Sequence, residues 1–239
     1  MLPVAILAGG MATRLAPLTN KLPKALLEID GEPFIAHQLR LLNAQGIDRV
    51  VICAAYLGEM IQAYVGDGRR FGVQVAFSFD GSPLLGTGGA IKKALGLLGD
   101  AFFILYGDSY LPCDYRYVQT FFEKAGKTGL MTVFRNESRW DRSNVEFVDG
   151  RIVMYNKGYQ TQGMHFIDYG LGVLKPAAFE AVPEDRPTDL AAVYQDLLSR
   201  GELAGCEVKE RFYEIGSFEG LEETRRYLER RSATNRSRP

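Results

Sequence analysis

Three cysteines, two histidines and one tryptophan in 239 residues leave little material for several kinds of chemistry. Cys53, Cys113 and Cys206 are widely spaced and form no metal-type pair. Their odd number, with no charged segment ahead of the first strand, is what a reducing cytoplasm would show. Cys53 lies in the apolar run 49–54 and reads as a buried thiol. His37 and His165 accompany no serine or cysteine in a hydrolase arrangement, so one reads as helix-surface and the other as strand-associated. Trp140 either covers a site or simply packs. A net charge of −1 provides no global basic field for nucleic acid. No apolar run approaches the ~20 residues that a membrane helix needs. Internal repeats and Pro-, Gly- or Ser-rich linkers are also missing. What remains, 46% apolar and 24% charged residues, is an ordinary globular composition with length for one large domain.

Strand and helix signals alternate through the first half. Residues 3–8, 49–54, 73–79 and 101–106 read as strands, and residues 33–44, 57–65 and 89–98 as the helices between them. This order predicts an α/β fold: a mostly parallel, Rossmann-like twisted sheet with helices on both faces. Right-handed crossovers place the loops after the strands at one edge, where ligands of open sheets bind. The second half is mixed, with strands expected at 130–135, 145–147, 152–155 and 167–174. Asp149-Gly150 is read as a hairpin turn. A helix over 188–200, capped by Thr188, and a last helix over 217–230 complete one domain. Residues 1–231 form that domain, and 232–239 are expected to be a flexible basic tail.

The first strand runs into Leu7-Ala8-Gly9-Gly10-Met11-Ala12-Thr13-Arg14-Leu15, and Pro23-Lys24 follows shortly after. Bare backbone, an arginine fork and a lysine point charge in one stretch are what a phosphate-binding loop needs. The spacing is neither G-x-G-x-x-G nor G-x-x-x-x-G-K-[ST], which argues against a dinucleotide fold and a P-loop. Asp108 ends a hydrophobic strand between Gly107 and Ser109. It reads as a carboxylate suited to Mg²⁺ at the mouth of the sheet, or else as a turn aspartate.

Taken together, Leu7-Ala8-Gly9-Gly10-x-x-Thr13-Arg14-Leu15-x-Pro17-Leu18-Thr19 with Pro23-Lys24 resembles the signature of the sugar-1-phosphate nucleotidyltransferases. Ala12 departs from it, standing where that family has glycine. Pro83-Leu84-Leu85-Gly86-Thr87-Gly88-Gly89-Ala90 is similar to the family's base-recognition loop. Gly107-Asp108 is similar to its metal-binding motif, and Tyr213-Glu214-Ile215-Gly216-Ser217 to its late D-x-G-[ST] motif. The short enzymes that activate heptose, mannose or N-acetylmuramate 1-phosphates are the nearest in form, and they lack a left-handed β-helix.

The resemblance implies nucleotidyl transfer from a nucleoside triphosphate to a sugar 1-phosphate, with Mg²⁺ as cofactor and a role in cell-envelope polysaccharide precursors. It implies no nucleic-acid or membrane partner, a cytoplasmic location, and a monomer or homodimer. Residues 1–128 would be the nucleotide-binding half and 129–231 the sugar-phosphate-binding half. Arg14 and Lys24 would be catalytic, one on the leaving phosphates and one on the α-phosphate. Leu7, Ala8, Gly9, Gly10, Thr13, Gly86, Thr87 and Gly88 would hold the nucleotide. Lys157, Asn144 and Gly170 would hold the sugar phosphate, although Asn156 replaces the glutamate that precedes the family's lysine. Asp108 and Glu214 would hold the metal, Glu214 standing where the family has aspartate. A non-catalytic nucleotide-binding relative remains an alternative, and a nicotinamide-dependent oxidoreductase a weaker one. The base is open between guanine, uracil, thymine and cytosine.

Overall fold

Alternate side chains of β1 (Val4–Ala8) enter opposite cores, as the two-residue period of a strand requires. Val4 and Ile6 join one apolar layer, and Ala5 and Leu7 join the other. The computed structural model describes residues 1–10, 15, 19, 21–184 and 186–236. β1 pairs in parallel with β4 (Arg49–Ala54) on one side and with β6 (Phe102–Tyr106) on the other. β5 (Gln74–Phe79) extends the parallel set beyond β4. Helices α1 (Phe34–Ala44) and α2 (Gly58–Val65) cover one face of this sheet, and α3 (Gly86–Leu98) the other. The expected α/β architecture, a mostly parallel central sheet sandwiched by helices, is the one observed.

The second half joins the same sheet. β11 (Phe166–Leu174) lies antiparallel to β6, and its other flank carries β8 (Gly129–Arg135), which pairs in parallel with β12 (Leu203–Val208). The hairpin of β9 (Val145–Val148) and β10 (Arg151–Tyr155) meets β11 at Phe166. Asp149 and Gly150 join its strands with φ of 48° and 76°, the left-handed pair that a two-residue hairpin turn favours. α4 (Tyr115–Ala125) lies over β8 and β12 in the same apolar layer as α1 and α2, and α5 (Leu190–Ser199) packs with α3. Two short pairs lie outside the main sheet: β2 (Glu28–Ile29) with β3 (Glu32–Pro33), and β7 (Ser109–Tyr110) with β13 (Tyr213–Glu214). α6 (Phe218–Arg236) buries Leu221 and Leu228 against Ile29, Phe34 and Ile215 in a third cluster. Among the described residues, no helix is long and apolar enough to cross a membrane.

Four expectations need correction. α4 and β12 were not anticipated. α3 begins at Gly86 rather than residue 89, so the glycine stretch is its first turn and not a free loop. The cap of α5 is Asp189, whose carboxylate accepts the Ala191 N–H at 2.7 Å, and not Thr188. Thr188 has another job: its carbonyl accepts the Gly88 N–H at 2.8 Å and locks the start of α5 to the start of α3. The last helix runs through Arg236, past residue 230 where it was expected to end.

Candidate active site

The carboxyl ends of β6, β1, β4 and β5 lie side by side along one edge, and a cavity of about 260 Å³ opens there. Leu7, Ala8, Gly9 and Gly10 from the end of β1 form one wall. Tyr106, Gly107 and Asp108 from the end of β6 form the next. Cys53, Asp80, Leu84, Gly86 and Thr87 close the far side. Gly107 is needed for this junction: its N–H donates to the Leu7 carbonyl at 2.9 Å, and a Cβ on it would lie 2.7 Å from that oxygen. Gly86 is needed for a different contact. Its φ is +72°, and a Cβ there would lie 2.6 Å from the Thr188 carbonyl oxygen. Gly86 and Thr87 line the cavity, while Gly88 serves the packing of α3 on the Thr188 segment. The Thr87 hydroxyl accepts the Leu190 N–H at 2.7 Å.

Lys24 enters the cavity from a 3₁₀ turn, Lys24–Leu26, and its ammonium lies 2.9 Å from an Asp108 carboxylate oxygen. The pair is partly screened from water, with the side chains 16% and 31% exposed. The loop that displays Asp108 is clamped from below by Gln38 of α1. The Gln38 amide donates to the Tyr106 carbonyl at 3.1 Å and to the Ser109 carbonyl at 2.7 Å, bracketing Gly107 and Asp108. Gln38 is buried, and its own carbonyl oxygen has no hydrogen-bond partner among the described residues, which gives the clamp its cost. The Asp108 carbonyl accepts the Ile215 N–H at 2.9 Å, tying this loop to β13.

A second group of polar residues adjoins the cavity through Tyr106. The Lys157 ammonium donates to the Tyr106 hydroxyl at 3.3 Å and stands 5.2 Å from its ring centre. Asp168 lies on β11 where its pairing with β8 slips, a break that includes Gly170 with φ of 94°. The Asp168 carboxylate accepts from the Tyr155 hydroxyl at 3.1 Å and from the Gly170 N–H at 3.0 Å. The Asn144 side-chain oxygen accepts the Asp168 N–H at 2.9 Å. Burial pushes the Asp168 carboxyl up, partly offset by the Lys157 charge. Burial also raises the Tyr106 and Tyr155 phenols. Lys157, Asn144 and Gly170, chosen from the sequence, thus meet around Asp168 and Tyr106.

Glu214 is placed differently. Its backbone pairs with Ser109, but its carboxylate accepts from the Gly216 N–H and, at 2.8 Å, from the Ser217 hydroxyl. Ser217 in turn accepts the Gly220 N–H at 3.0 Å at the start of α6, so the Glu214 charge sits against a helix N-terminus. Glu214 lines a separate cavity of about 190 Å³ together with Trp140, Arg211 and Tyr213. Trp140 both packs and covers that cavity, lying 5.7 Å from Phe134 ring to ring and under the Arg211 guanidinium at 4.4 Å. Thr13 and Arg14 lie outside the described residues.

The remaining polar candidates from the sequence sit elsewhere. His37 is half-buried and hydrogen-bonded to the Ile29 carbonyl at 2.8 Å, and His165 is exposed at the entry to β11. All three cysteines are free and buried, and burial pushes the Cys53 and Cys113 thiols up to about 12. The sequence reading missed Gln38, Asp80, Tyr106 and Asp168. Only Asp168 carried a local signal, as the one acid inside the apolar run of β11.

The chain that builds this glycine-walled cavity, with its facing lysine and aspartate, matches the model of a family described as nucleotidyl transferase over residues 4–230. The chain belongs to the nucleotidyl transferase family. Its relatives are sugar-1-phosphate nucleotidyltransferases. D-glycero-alpha-D-manno-heptose 1-phosphate guanylyltransferase of Aneurinibacillus thermoaerophilus is 34% identical over 180 residues, covering 73% of this chain and 75% of that protein. The mannose-1-phosphate guanylyltransferase catalytic subunit beta of Xenopus tropicalis is 28% identical over 218 residues, covering 88% of this chain. The chain spans 60% of the length of that relative. Among solved structures, HddC from Yersinia pseudotuberculosis complexed with GMP-PN matches with a TM-score of 0.78 and 25% identity, covering 95% of this nucleotidyl transferase chain and 100% of that one. A putative glucose-1-phosphate thymidylyltransferase from Bacillus anthracis has a TM-score of 0.83 at 20% identity, covering 95% of both chains, and shares the fold.

Proposed function

We propose that this protein transfers a nucleotidyl group from a nucleoside triphosphate to a sugar 1-phosphate, releasing pyrophosphate. The observation that carries the reading is the Lys24–Asp108 pair at 2.9 Å, held over bare glycine backbone at the ends of β1 and β6. A phosphate oxygen of the sugar 1-phosphate attacks the α-phosphorus. One P–O bond forms, the bond to the β-phosphate breaks, and the electron pair leaves with pyrophosphate. The attacking oxygen is already ionised, so no general base is required, in keeping with His37 and His165 lying outside the cavity. The work left for the protein is to align two polyanions and to stabilise charge at phosphorus.

Lys24 fits the second task, as a cation aimed at the cavity beside the glycine wall. Its partner Asp108 holds it in place until phosphates compete for it. Lys157, stacked near Tyr106, would bind the phosphate of the sugar. Asn144 and Gly170 would shape that side through Asp168. Arg14 keeps its proposed place on the leaving phosphates.

The family implies Mg²⁺, and the Asp108 carboxylate at a partly open strand end is the hard oxygen donor such an ion takes, with substrate phosphates and water completing its shell. A bound Mg²⁺ would supply neutralisation of charge on the phosphate oxygens. Glu214 is the weaker donor of the two, because its carboxylate is engaged at the start of α6.

Guanine is the favoured base and a manno-configured heptose or mannose 1-phosphate the favoured acceptor. The names of the guanylyltransferase relatives and the GMP-PN complex of HddC support this choice. The test measures pyrophosphate release from four nucleoside triphosphates crossed with a panel of sugar 1-phosphates, with and without Mg²⁺. Release with GTP and mannose or heptose 1-phosphate is the expected result. Silence across the whole grid would overturn the reading.

A further inference from the structure

We infer that Tyr106 positions Lys157 for the acceptor phosphate, holding the ammonium by its hydroxyl and ring face while leaving the charge free for the ligand. The inference deepens the nucleotidyl-transfer reading and rests on it. It begins from an asymmetry between the two lysines assigned to phosphates. Lys24 is paired with a carboxylate, Asp108, at 2.9 Å. Lys157 is exposed, and among the described residues it forms no ion pair within 4 Å. Its ammonium instead donates to the Tyr106 hydroxyl at 3.3 Å and stands 5.2 Å from the centre of that ring.

Tyr106 can hold a flexible side chain because it is itself fixed. It ends β6, in register with Leu7 of β1, and its carbonyl accepts from the Gln38 amide at 3.1 Å. Its ring packs on the α3 side of the sheet and lies against Gly170, where a Cβ would come within 3.5 Å of a ring carbon. The base of Lys157 is fixed as well. The Asn156 N–H donates to the Asn144 carbonyl at 2.9 Å. The Asn156 side-chain oxygen accepts the Gly158 and Tyr159 N–H groups at 2.7 and 3.0 Å. The asparagine that replaces the family's glutamate is thus occupied by the turn and does not reach the ammonium. Between two fixed ends only the lysine stem is free, and Tyr106 anchors it.

A phenol holds a cation differently from a carboxylate. Burial, and after it the Asp168 charge, pushes the Tyr106 phenol well up, so the hydroxyl stays neutral. The Asp168 carboxylate itself is taken up by the Tyr155 hydroxyl and the Gly170 N–H. A neutral partner does not cancel the ammonium charge, and an incoming phosphate has no carboxylate to displace. An ammonium has three donors, so two remain for phosphate oxygens. Tyr106 also lines the cavity that holds Lys24 and Asp108, and Asp108 is two residues further along the chain. The acceptor's cation is therefore registered to the reacting centre through a short run of fixed backbone.

The experiment measures initial rates of pyrophosphate release for wild type, Tyr106→Phe, Lys157→Met and the double variant. The substrates are GTP and mannose 1-phosphate, or the pair from the substrate grid that the wild type uses best. Phenylalanine keeps the ring and its packing, and methionine keeps the stem. Tyr106→Phe should raise the KM for the sugar phosphate about 3- to 10-fold, the scale of one net hydrogen bond, with kcat and the nucleotide KM within about twofold and Tm unchanged. In the Lys157→Met background the same substitution should change none of these, because a positioning residue acts only through the group it holds. A residue that merely packs would lower Tm and would act equally in both backgrounds. A sugar-phosphate KM within about twofold of wild type, or an equal effect with and without Lys157, overturns the inference and leaves the transferase reading standing. Silence of the wild type across the whole grid overturns that reading, and the inference with it.

Discussion

Lys24→Met separates a structural role from a chemical one, because the two differ in magnitude. Methionine preserves the length of the stem and leaves the 3₁₀ turn intact, since that turn is made by the Lys24 carbonyl accepting the Leu27 N–H at 3.0 Å. What is lost is the ammonium 2.9 Å from Asp108. The pair is partly exposed, and pairs of that kind contribute ~0–1 kcal/mol. For a chain of this size, 1 kcal/mol moves Tm by about 2–4 °C. If Lys24 stabilises the α-phosphorus as it is attacked, its removal costs about 2.7–4 kcal/mol of transition-state stabilisation, or ~10²–10³ in kcat. Thermal melting and continuous pyrophosphate release at saturating Mg²⁺ and both substrates measure the two terms on one sample. The expected outcome is a Tm within a few degrees of wild type and a kcat lower by two to three decades. A kcat within about threefold of wild type, at unchanged Tm, would show that Lys24 merely neutralises Asp108 and would refute its assignment.

Three further outcomes follow from the geometry. Gln38→Leu removes both donors bracketing Gly107 and Asp108 but also relieves a buried, unpartnered oxygen. Stability should change by no more than about 1–2 kcal/mol, while kcat falls ~10-fold or more as Asp108 loses its fixed position; equal losses in both would mark Gln38 as a packing residue only. Glu214→Gln should cost about 0.5–1 kcal/mol at the start of α6 and leave the Mg²⁺ concentration for half-maximal rate unchanged. A tenfold rise in that concentration would put Glu214 on the metal. Asp168 has a folded pKa above the ordinary 3.8, so as pH rises the unfolded chain releases this proton first and stability is lost across the window between the two values. Asp168→Asn removes that loss. Its Tm relative to wild type should therefore climb from pH 4 upward and level off once the wild-type carboxyl is ionised, and a flat difference would contradict the raised pKa.

The parts of this molecule that could be read from its sequence are those whose determinants are local. β1, β4 and β6 were placed to within a residue because each is a short apolar run with a turn or glycine signal beside it. α4 escaped although Asp114, which accepts the Tyr117 N–H, and the terminal Gly126 mark both its ends, since its buried side is only Tyr115, Val118 and Phe122 in an otherwise polar stretch. β12 escaped because Gly205 and Glu207 break its apolar pattern, and its place is set by register against β8. The glycines Gly86 and Gly88 carry a second, non-local reason for being glycine. Beside the ligand loop read from the sequence, that reason is the close approach of Thr188, about a hundred residues further along the chain.

The site divides in the same way. One end of the cavity is contiguous in sequence or nearly so, with Gly9, Gly10 and Lys24 within one short stretch, so these residues could be grouped before the fold was known. The Gln38 clamp and the Asp80 wall could not be read so, because neither residue is unusual in its own segment. Gln38 matters only because α1 packs beneath the turn after β6, and Asp80 only because β5 is third along the edge from it. Strand order thus gives the cavity a charged end, at Lys24 and Asp108, and a far end lined by Asp80, Leu84 and Cys53.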